Sequence, residues 1–160
     1  MRQSIGSTWI MQLVIIFTLI FVAFISLTIN YTRAFKTKNE LVSMIEKYEG
    51  IGLGEETGAV TIINNYLTYN NYSVQGKCEE DEYGATSLTS IALEPATNNK
   101  KYYYCVRKES TATAAMPDRA RYRIRIFFHF SLPVIGDLFT FSVEGTTIDL
   151  SHALYDIQNT

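Results

Sequence analysis

The side chains that could do chemistry in this 160-residue chain are two cysteines, two histidines and a row of arginines. His129 and His152 are too few to build a histidine metal centre or a catalytic triad, so each is interpreted as a strand or surface residue. No Gly-x-Ser-x-Gly elbow is present, and the glycines at 50, 52 and 54 lack the Lys-Ser/Thr that completes a phosphate-binding loop. The sequence therefore predicts a protein that is not an enzyme and that uses no cofactor or metal.

The cysteines, Cys78 and Cys105, are the only two in the chain. Two cysteines in a small tyrosine-rich domain suit one disulfide in an oxidising compartment. Free thiols or a metal site are the alternatives, but the sequence has no third or fourth soft ligand nearby. The acidic run at 79–82 lacks the spacing of a calcium loop and is interpreted as a solvated acidic loop. We expect a disulfide if the domain is exported, contributing about 2–4 kcal/mol.

The arginines Arg119, Arg121, Arg123 and Arg125 occupy alternate positions in one segment. Alternate residues of a strand point to the same side, so the four guanidinium groups would share one face. Such a face could bind an anionic ligand such as a polymer. The alternative is a solvated strand face balanced by Glu144 and the acidic loop. The formal net charge of -2 argues against a general nucleic-acid binder.

An uncharged, apolar run at residues 9–29 precedes all of these positions. It matches the roughly 20 apolar residues that cross a bilayer core of about 30 Å. A cleaved signal peptide is the alternative, but its apolar region is shorter, about 7–15 residues, and ends at a small-residue cleavage site. Polar residues inside the run, Gln12 among them, indicate contact between helices. We predict a leader-like segment at 1–7 and a transmembrane helix at 8–30, with membrane lipid as a partner.

The apolar pattern continues past the membrane segment at a spacing of three to four residues, which includes Leu41, Ile45 and Tyr48. This spacing predicts an amphipathic continuation of the same helix over residues 31–49, ended by the glycines that follow. At 1.5 Å per residue the whole helix would be roughly 60 Å long, about twice the thickness of the bilayer core. Half of the helix would therefore protrude from the membrane.

Residues 50–160 are expected to form the domain outside the membrane. Apolar periodicity predicts a short helix at 56–70, and composition predicts strands at 86–93 and 101–108. The clearest strand pattern is the alternation within residues 122–148, which predicts an antiparallel hairpin with one apolar face. The protruding helix has an apolar face to cover it. The predicted fold is α+β, with a long N-terminal helix packed on a small antiparallel β-sheet.

The sequence gives conflicting indications of the side of the membrane on which the domain lies. Arg33, Lys36 and Lys38 follow the apolar run and only Arg2 precedes it, which favours a cytoplasmic domain. The cysteine pair and a surface rich in Thr, Asn and Tyr favour an exported domain. Because charge bias is a tendency, we favour a domain outside the cytoplasm.

Three segments of the chain together match a known pattern. They are the anchor running into 39–47, the stretch 65–78, and the stretch 122–149, where Phe128-His129-Phe130 leads to FTFSVEGTTIDL. In this order of parts the chain resembles the TadE-like proteins of tight-adherence (Tad) pilus systems, which are relatives of type IV pilins. The resemblance implies a type IV pilin-like fold, an exported domain on a single-pass membrane protein, and incorporation in a surface pilus or secretion apparatus.

The resemblance also bears on the N-terminus. Pilin-like precursors are typically cut after a glycine by a prepilin peptidase, and a glutamate at the fifth position of the mature chain helps to register the subunit. Gly6 stands in the right place before Ser7, but the fifth residue after Gly6 is Met11, followed by Gln12. This departure favours a minor or assembly subunit. The implied partners are other pilin-like subunits, assembly-platform proteins and a prepilin peptidase.

The residues therefore lead to two functional hypotheses. The first is a membrane-anchored, pilin-like subunit that acts by helix packing through Gln12, Leu41, Ile45 and Tyr48. The second is a single-pass surface protein whose arginine-bearing strand holds an anionic ligand. The first predicts association with other pilin-like subunits, and the second predicts binding that depends on the arginines.

Overall fold

One long helix, one short helix and a five-stranded antiparallel sheet make up the fold in the computed structural model, which describes residues 2–51, 58–117, 119–132 and 136–150. The elements are α1 (Arg2–Lys47), α2 (Ala59–Tyr69), β1 (Tyr83–Gly84), β2 (Glu94–Pro95), β3 (Tyr104–Ser110), β4 (Ala120–Leu132) and β5 (Gly136–Thr146). The strand order is β2-β1-β3-β4-β5, and all neighbours are antiparallel. The predicted α+β fold is confirmed in this form.

The helix α1 is a single element of 46 residues, which corresponds to about 69 Å at 1.5 Å per residue. At its end Glu49 and Gly50 both have positive φ, of 54° and 133°, and the Gly50 N–H donates to Ile45 O at 3.0 Å. Left-handed residues of this kind close a helix by satisfying its last carbonyls. A Cβ at position 50 would lie 3.0 Å from Tyr122 Oη, so packing as well as backbone conformation favours glycine here. The predicted glycine stop therefore falls at Gly50.

The antiparallel hairpin that the alternation predicts is formed by β4 and β5. Ile126 lies opposite Val143, and Phe128 lies opposite Phe141, with 5.4 Å between the two ring centroids. The turn at 133–135 lies outside the described residues. Antiparallel pairing of neighbouring segments needs only a short connection, which is why sequence periodicity predicts it well.

The strand predicted at 86–93 is wrong, because this segment is a loop between β1 and β2. Its side chains bind its own backbone: Thr89 N–H donates to Ser87 Oγ at 3.1 Å, and Ala92 N–H donates to Ser90 Oγ at 3.2 Å. Ser and Thr in such local turns compete with the ladder of a sheet. Only two residues on each side of the loop, in β1 and in β2, pair as strands.

Two other elements begin later than predicted. The helix α2 begins at Ala59, whereas the prediction began at 56, which lies outside the described residues. The strand β3 begins at Tyr104, not at 101, because Tyr102 makes only an isolated bridge with Gly76. Both differences concern the boundary of an element, where hydrophobic patterns are least informative.

Both helices pack on one face of the sheet, where they form the main core. Leu41 and Ile45 of α1 are fully buried, whereas Tyr48 is only half-buried. The buried residues that complete this core from α2 and the sheet are Val60, Ile63, Leu67, Tyr104, Val106, Tyr122, Ile124 and Ile126. The protruding half of α1 is thus part of the domain's interior.

The opposite face of the sheet carries a second, smaller apolar cluster. The sequence pattern predicts a single apolar face and does not indicate this cluster. Cys78 and Cys105 form a disulfide with 5.6 Å between their Cα atoms, as predicted, and they pack with Tyr102 and Phe127. Phe127 is buried because the chain after α2 passes over its ring at Gly76, where a Cβ would lie 2.1 Å from a ring carbon. The same segment also holds the Phe127 backbone, since the Phe127 N–H donates to Tyr72 Oη at 2.8 Å and the Tyr72 hydroxyl donates back to Phe127 O.

Replacing Leu41 with alanine should lower the domain's free energy of unfolding by about 2–5 kcal/mol, because a buried leucine leaves a cavity that its neighbours fill only in part. The matched control is Leu27→Ala, which makes the same change on the same helix at a side chain that is 39% exposed. Thermal unfolding of the full chain in mild detergent, followed by near-ultraviolet circular dichroism, measures both. Equal effects of the two substitutions would contradict the role of α1 in the core.

Candidate functional site

The first candidate site is the N-terminal half of α1, whose surface no other described part of the chain covers. Its large apolar side chains from Trp9 to Ile29 are exposed, and its most apolar stretch has a mean hydropathy of 2.7 with none of it buried. The helix is long and apolar enough to cross a membrane. Exposure of so much apolar surface indicates a lipid or protein surface as its natural contact.

Polar groups on this part of α1 differ in whether their hydrogen bonds are satisfied within the helix. The hydroxyl groups of Thr18, Thr28 and Thr32 donate to the carbonyl four residues earlier, at 2.8, 3.0 and 2.8 Å. Gln12 is exposed, and its amide has no hydrogen-bond partner among the residues that the structure describes. An amide on an apolar membrane helix is suited to a hydrogen bond with another helix.

The positions that the resemblance connects with processing lie at the start of the same helix. Gly6 and Ser7 belong to α1, and nothing beyond their helical backbone is described. Met11 is 68% exposed. It presents an uncharged thioether at the place where the pilin pattern has a carboxylate.

The second candidate site is the arginine-bearing face of the sheet, where every arginine of the row has a carboxylate partner. Arg119 and Arg121 both bind Asp149, each at 2.9 Å, and Arg123 binds Glu109 at 2.8 Å. Sequence reasoning missed both of these acidic partners, because Asp149 is 28 residues from Arg121 and Glu109 lies on the neighbouring strand. Each arginine of the row is therefore ion-paired within the chain, although Arg119 and Arg121 share one carboxylate.

Arg125 differs from the other three arginines in being 9% exposed and in having three carboxylate partners. Its Nη2 lies 2.6 Å from Glu79, 2.7 Å from Glu144 and 3.4 Å from Glu82. Glu144 and the acidic run at 79–82 are the partners that charge balance predicts. The expectation of a wholly solvated face is wrong at this end, since both Arg125 and Glu82 are buried.

Glu82 is the buried carboxylate of the acidic run, and it is 2% exposed. Burial raises the pKa of its carboxyl, and the nearby charges of Glu79 and Asp81 act in the same direction. The Glu79 N–H, which donates to Glu82 Oε2 at 2.8 Å, and the guanidinium of Arg125 oppose that rise in the pKa. The prediction that the run is a solvated loop is therefore wrong at Glu82, because it turns inward to meet Arg125.

Asp81 of the acidic run is bound by a second arginine. Arg107 of β3 binds Asp81 and also binds Glu109 at 3.0 Å. The hydrogen bond from this guanidinium lowers the pKa of the Asp81 carboxyl. Ion pairs from two neighbouring strands thus hold the acidic run against the sheet.

Glu82 also lies beside the disulfide, within 4.8 Å of the Sγ atoms of Cys78 and Cys105. Three such groups could hold a metal ion if the sulfurs were thiolates. Because the two sulfurs are bonded to each other, they offer no thiolate ligand. The arrangement is a disulfide packed against a buried carboxyl. His129 lies half-buried on β4, and His152 lies outside the described residues.

Comparison with known proteins leaves the family of this chain open. No family model, no curated protein and no solved structure matches it. The resemblance to TadE-like proteins therefore stays a prediction that depends on the sequence segments alone.

Replacing Arg125 with methionine should cost about 3 kcal/mol of stability, because it leaves the buried carboxyl of Glu82 without its cation. Arg123→Met is the matched control: its side chain is 33% exposed and has one partner, so the loss should be about 0–1 kcal/mol. Thermal unfolding of the two variants at neutral pH compares them. Equal losses of stability in the two variants would contradict a larger contribution from the three-carboxylate cluster than from the single ion pair of Arg123.

Replacing Glu82 with glutamine should change how stability depends on pH. The folded protein holds the Glu82 proton to higher pH than the unfolded chain does, because the pKa of this carboxyl is raised above 4.5 in the fold. Its stabilising contribution is therefore full below pH 4.5 and declines as the pH rises through the raised pKa. The difference in stability, wild type minus variant, should fall as the pH rises above 4.5 through the raised pKa of Glu82.

Glu80→Gln, which removes a neighbouring exposed carboxyl, is the control for this experiment. Unfolding is followed across the same pH range for all three proteins. A wild-type advantage that grows with pH would contradict the assignment, since it would mean that Glu82 stabilises the fold as an ion.

Proposed function

We propose that this chain is a single-pass, membrane-anchored, non-enzymatic subunit of a pilus or secretion apparatus, as its resemblance to TadE-like proteins implies. It acts by packing its membrane helix against other subunits and by presenting the sheet domain outside the cytoplasm. The observation that carries the proposal is the division of α1: its first half has an exposed apolar surface, and its second half is built into the domain core.

The first support is the rigid connection between the membrane half of α1 and the domain, which subunit assembly would use. A helix that only anchored a domain would need no rigid connection to it, since a flexible linker would serve. Leu41 and Ile45 instead fix the domain to the helix. Any neighbour that packs on the membrane half therefore meets the domain at a defined position, as ordered assembly of subunits requires.

The second support is Gln12. An amide in hydrocarbon without a partner is unfavourable, and a polar side chain on a neighbouring helix removes that cost. Interhelical bonds of this kind contribute about 0.6–2 kcal/mol. Gln12 therefore marks the side of α1 on which a partner helix is expected.

The third support concerns the side of the membrane. The Cys78–Cys105 disulfide fits an oxidising compartment, because cytosolic thiols are kept reduced. This consideration outweighs the charge bias of Arg33, Lys36 and Lys38, because that bias is a tendency. Capture of an anionic ligand by the arginine row is less well supported, since a ligand would have to displace the carboxylates already bound there.

Photo-crosslinking within the membrane tests the proposal. A photoreactive residue at position 16, one turn from Gln12 on the same side of α1, should form adducts with other single-pass proteins that have an apolar N-terminal helix. The same residue at position 14, on the other side of the helix, should give several-fold less. Gln12→Leu should lower the yield at position 16, because it removes the interhelical hydrogen bond.

Mass spectrometry of the adducts identifies the neighbours. Equal yields at the two positions, or adducts with lipid alone, would contradict helix packing as the function. Modification of a single cysteine placed at the exposed position 69, by a reagent that does not cross the membrane, reports separately on the side of the domain.

A further inference from the structure

A groove of about 480 Å³ opens where the apolar half of α1 ends and the domain begins. Three elements form it: α1 around Arg33 and Lys36, the end of α2 around Asn70, and β4 around His129. We call it the base groove. None of the described residues that line it is an aspartate or glutamate.

The charged groups of the base groove are cations without an internal counter-ion. Arg33 and Lys36 are exposed, and neither has an ion pair with any residue in the described part of the chain. The four arginines of the sheet face, by contrast, all have carboxylate partners. His129 Nδ1 lies 3.1 Å from Thr140 Oγ1, which leaves its Nε2 for a ligand. The groove therefore offers two positive charges that make no ion pair, with a polar surround, and Glu40 lies one helical turn beyond Lys36 outside the groove lining.

The position of Arg33 and Lys36 along α1 determines which layer of a bilayer the two cations would contact. The exposed apolar run ends at Ile29, and at 1.5 Å per residue Arg33 and Lys36 lie about 6 and 10 Å farther along the helix. The headgroup layer of a bilayer extends about 5–8 Å beyond its hydrocarbon core on each side. When the apolar run fills the core, the two cations lie at or just above the depth of the lipid phosphates.

We propose that the base groove binds the phosphate of an anionic phospholipid from the leaflet next to the domain. Arg33 would bind the phosphate oxygens through its planar guanidinium, and Lys36 would add a point charge. The acyl chains would lie along the exposed side chains of Ile25 and Ile29. This inference does not rest on the proposed function, because it holds for a domain on either side of the membrane.

A free phosphate has the same charged group as the lipid and could enter the same groove. The lipid is favoured because the groove is continuous with the apolar surface of α1, which a free ion does not use. Basic pockets at the ends of membrane helices bind lipid headgroups by this combination of charge and apolar contact.

Native mass spectrometry of the full chain in mild detergent tests the inference, with phosphatidylglycerol or phosphatidylcholine of identical acyl chains as the added probe. The wild type should retain one phosphatidylglycerol. The double substitution Arg33→Gln and Lys36→Gln should lower the occupancy of that adduct at least about tenfold, because two cationic contacts are lost. Both side chains are exposed, so the domain should stay folded, and thermal unfolding verifies this.

The matched control is Lys38→Gln with Lys47→Gln, which removes two positive charges from the same helix outside the groove. Its occupancy should stay within about twofold of the wild type, since the groove is intact. Equal losses in the two double variants would overturn the inference in favour of diffuse surface charge. Equal retention of phosphatidylcholine would overturn it as well, and so would displacement of the lipid by inorganic phosphate at the same concentration.

Discussion

A continuous backbone hydrogen-bond ladder along α1 is the constraint on which the rest of this protein depends. In hydrocarbon every backbone N–H and C=O must be satisfied within the segment, and a helix does this without help from neighbours. Because α1 continues past the apolar run as the same element, Leu41 and Ile45 meet the sheet at fixed distances from the membrane. The depth of the base groove follows from this continuity, since one helix supplies both the anchor and one wall of the groove.

The sheet face away from the helices is stabilised by charge as well as by apolar packing. Glu79 is 46 residues from Arg125 in sequence, yet it binds its guanidinium at 2.6 Å. Cys105 pairs with Arg125 across β3 and β4, so the disulfide and the ion cluster hold the same loop from adjacent positions. Burial makes these pairs sensitive to the loss of one partner, although it does not make them a large source of net stability.

The parts of the fold that could be predicted from sequence are those in which a short period or a short connection determines the structure. The run ending at Ile29, the spacing of Leu41 and Ile45, and the β4–β5 alternation are of this kind. Glu82 could not be predicted to be buried, because nothing in the acidic run at 79–82 distinguishes the carboxylate that turns inward from its exposed neighbours. Phe127 is buried on the arginine-bearing face because Gly76, which is remote in sequence, lies against its ring. The base groove combines residues of three elements, so no local pattern could indicate it.

The stiffness of α1 has a mechanical consequence. Membrane helices tilt by about 20° on average, and they tilt further when their apolar length exceeds the thickness of the bilayer. From Ile29 to Lys47 the helix extends about 27 Å, so a 20° lean would carry its far end about 9 Å sideways. The chain would in this way behave as a lever whose fulcrum is the lipid surface, and the thickness of the surrounding bilayer would decide where the domain points.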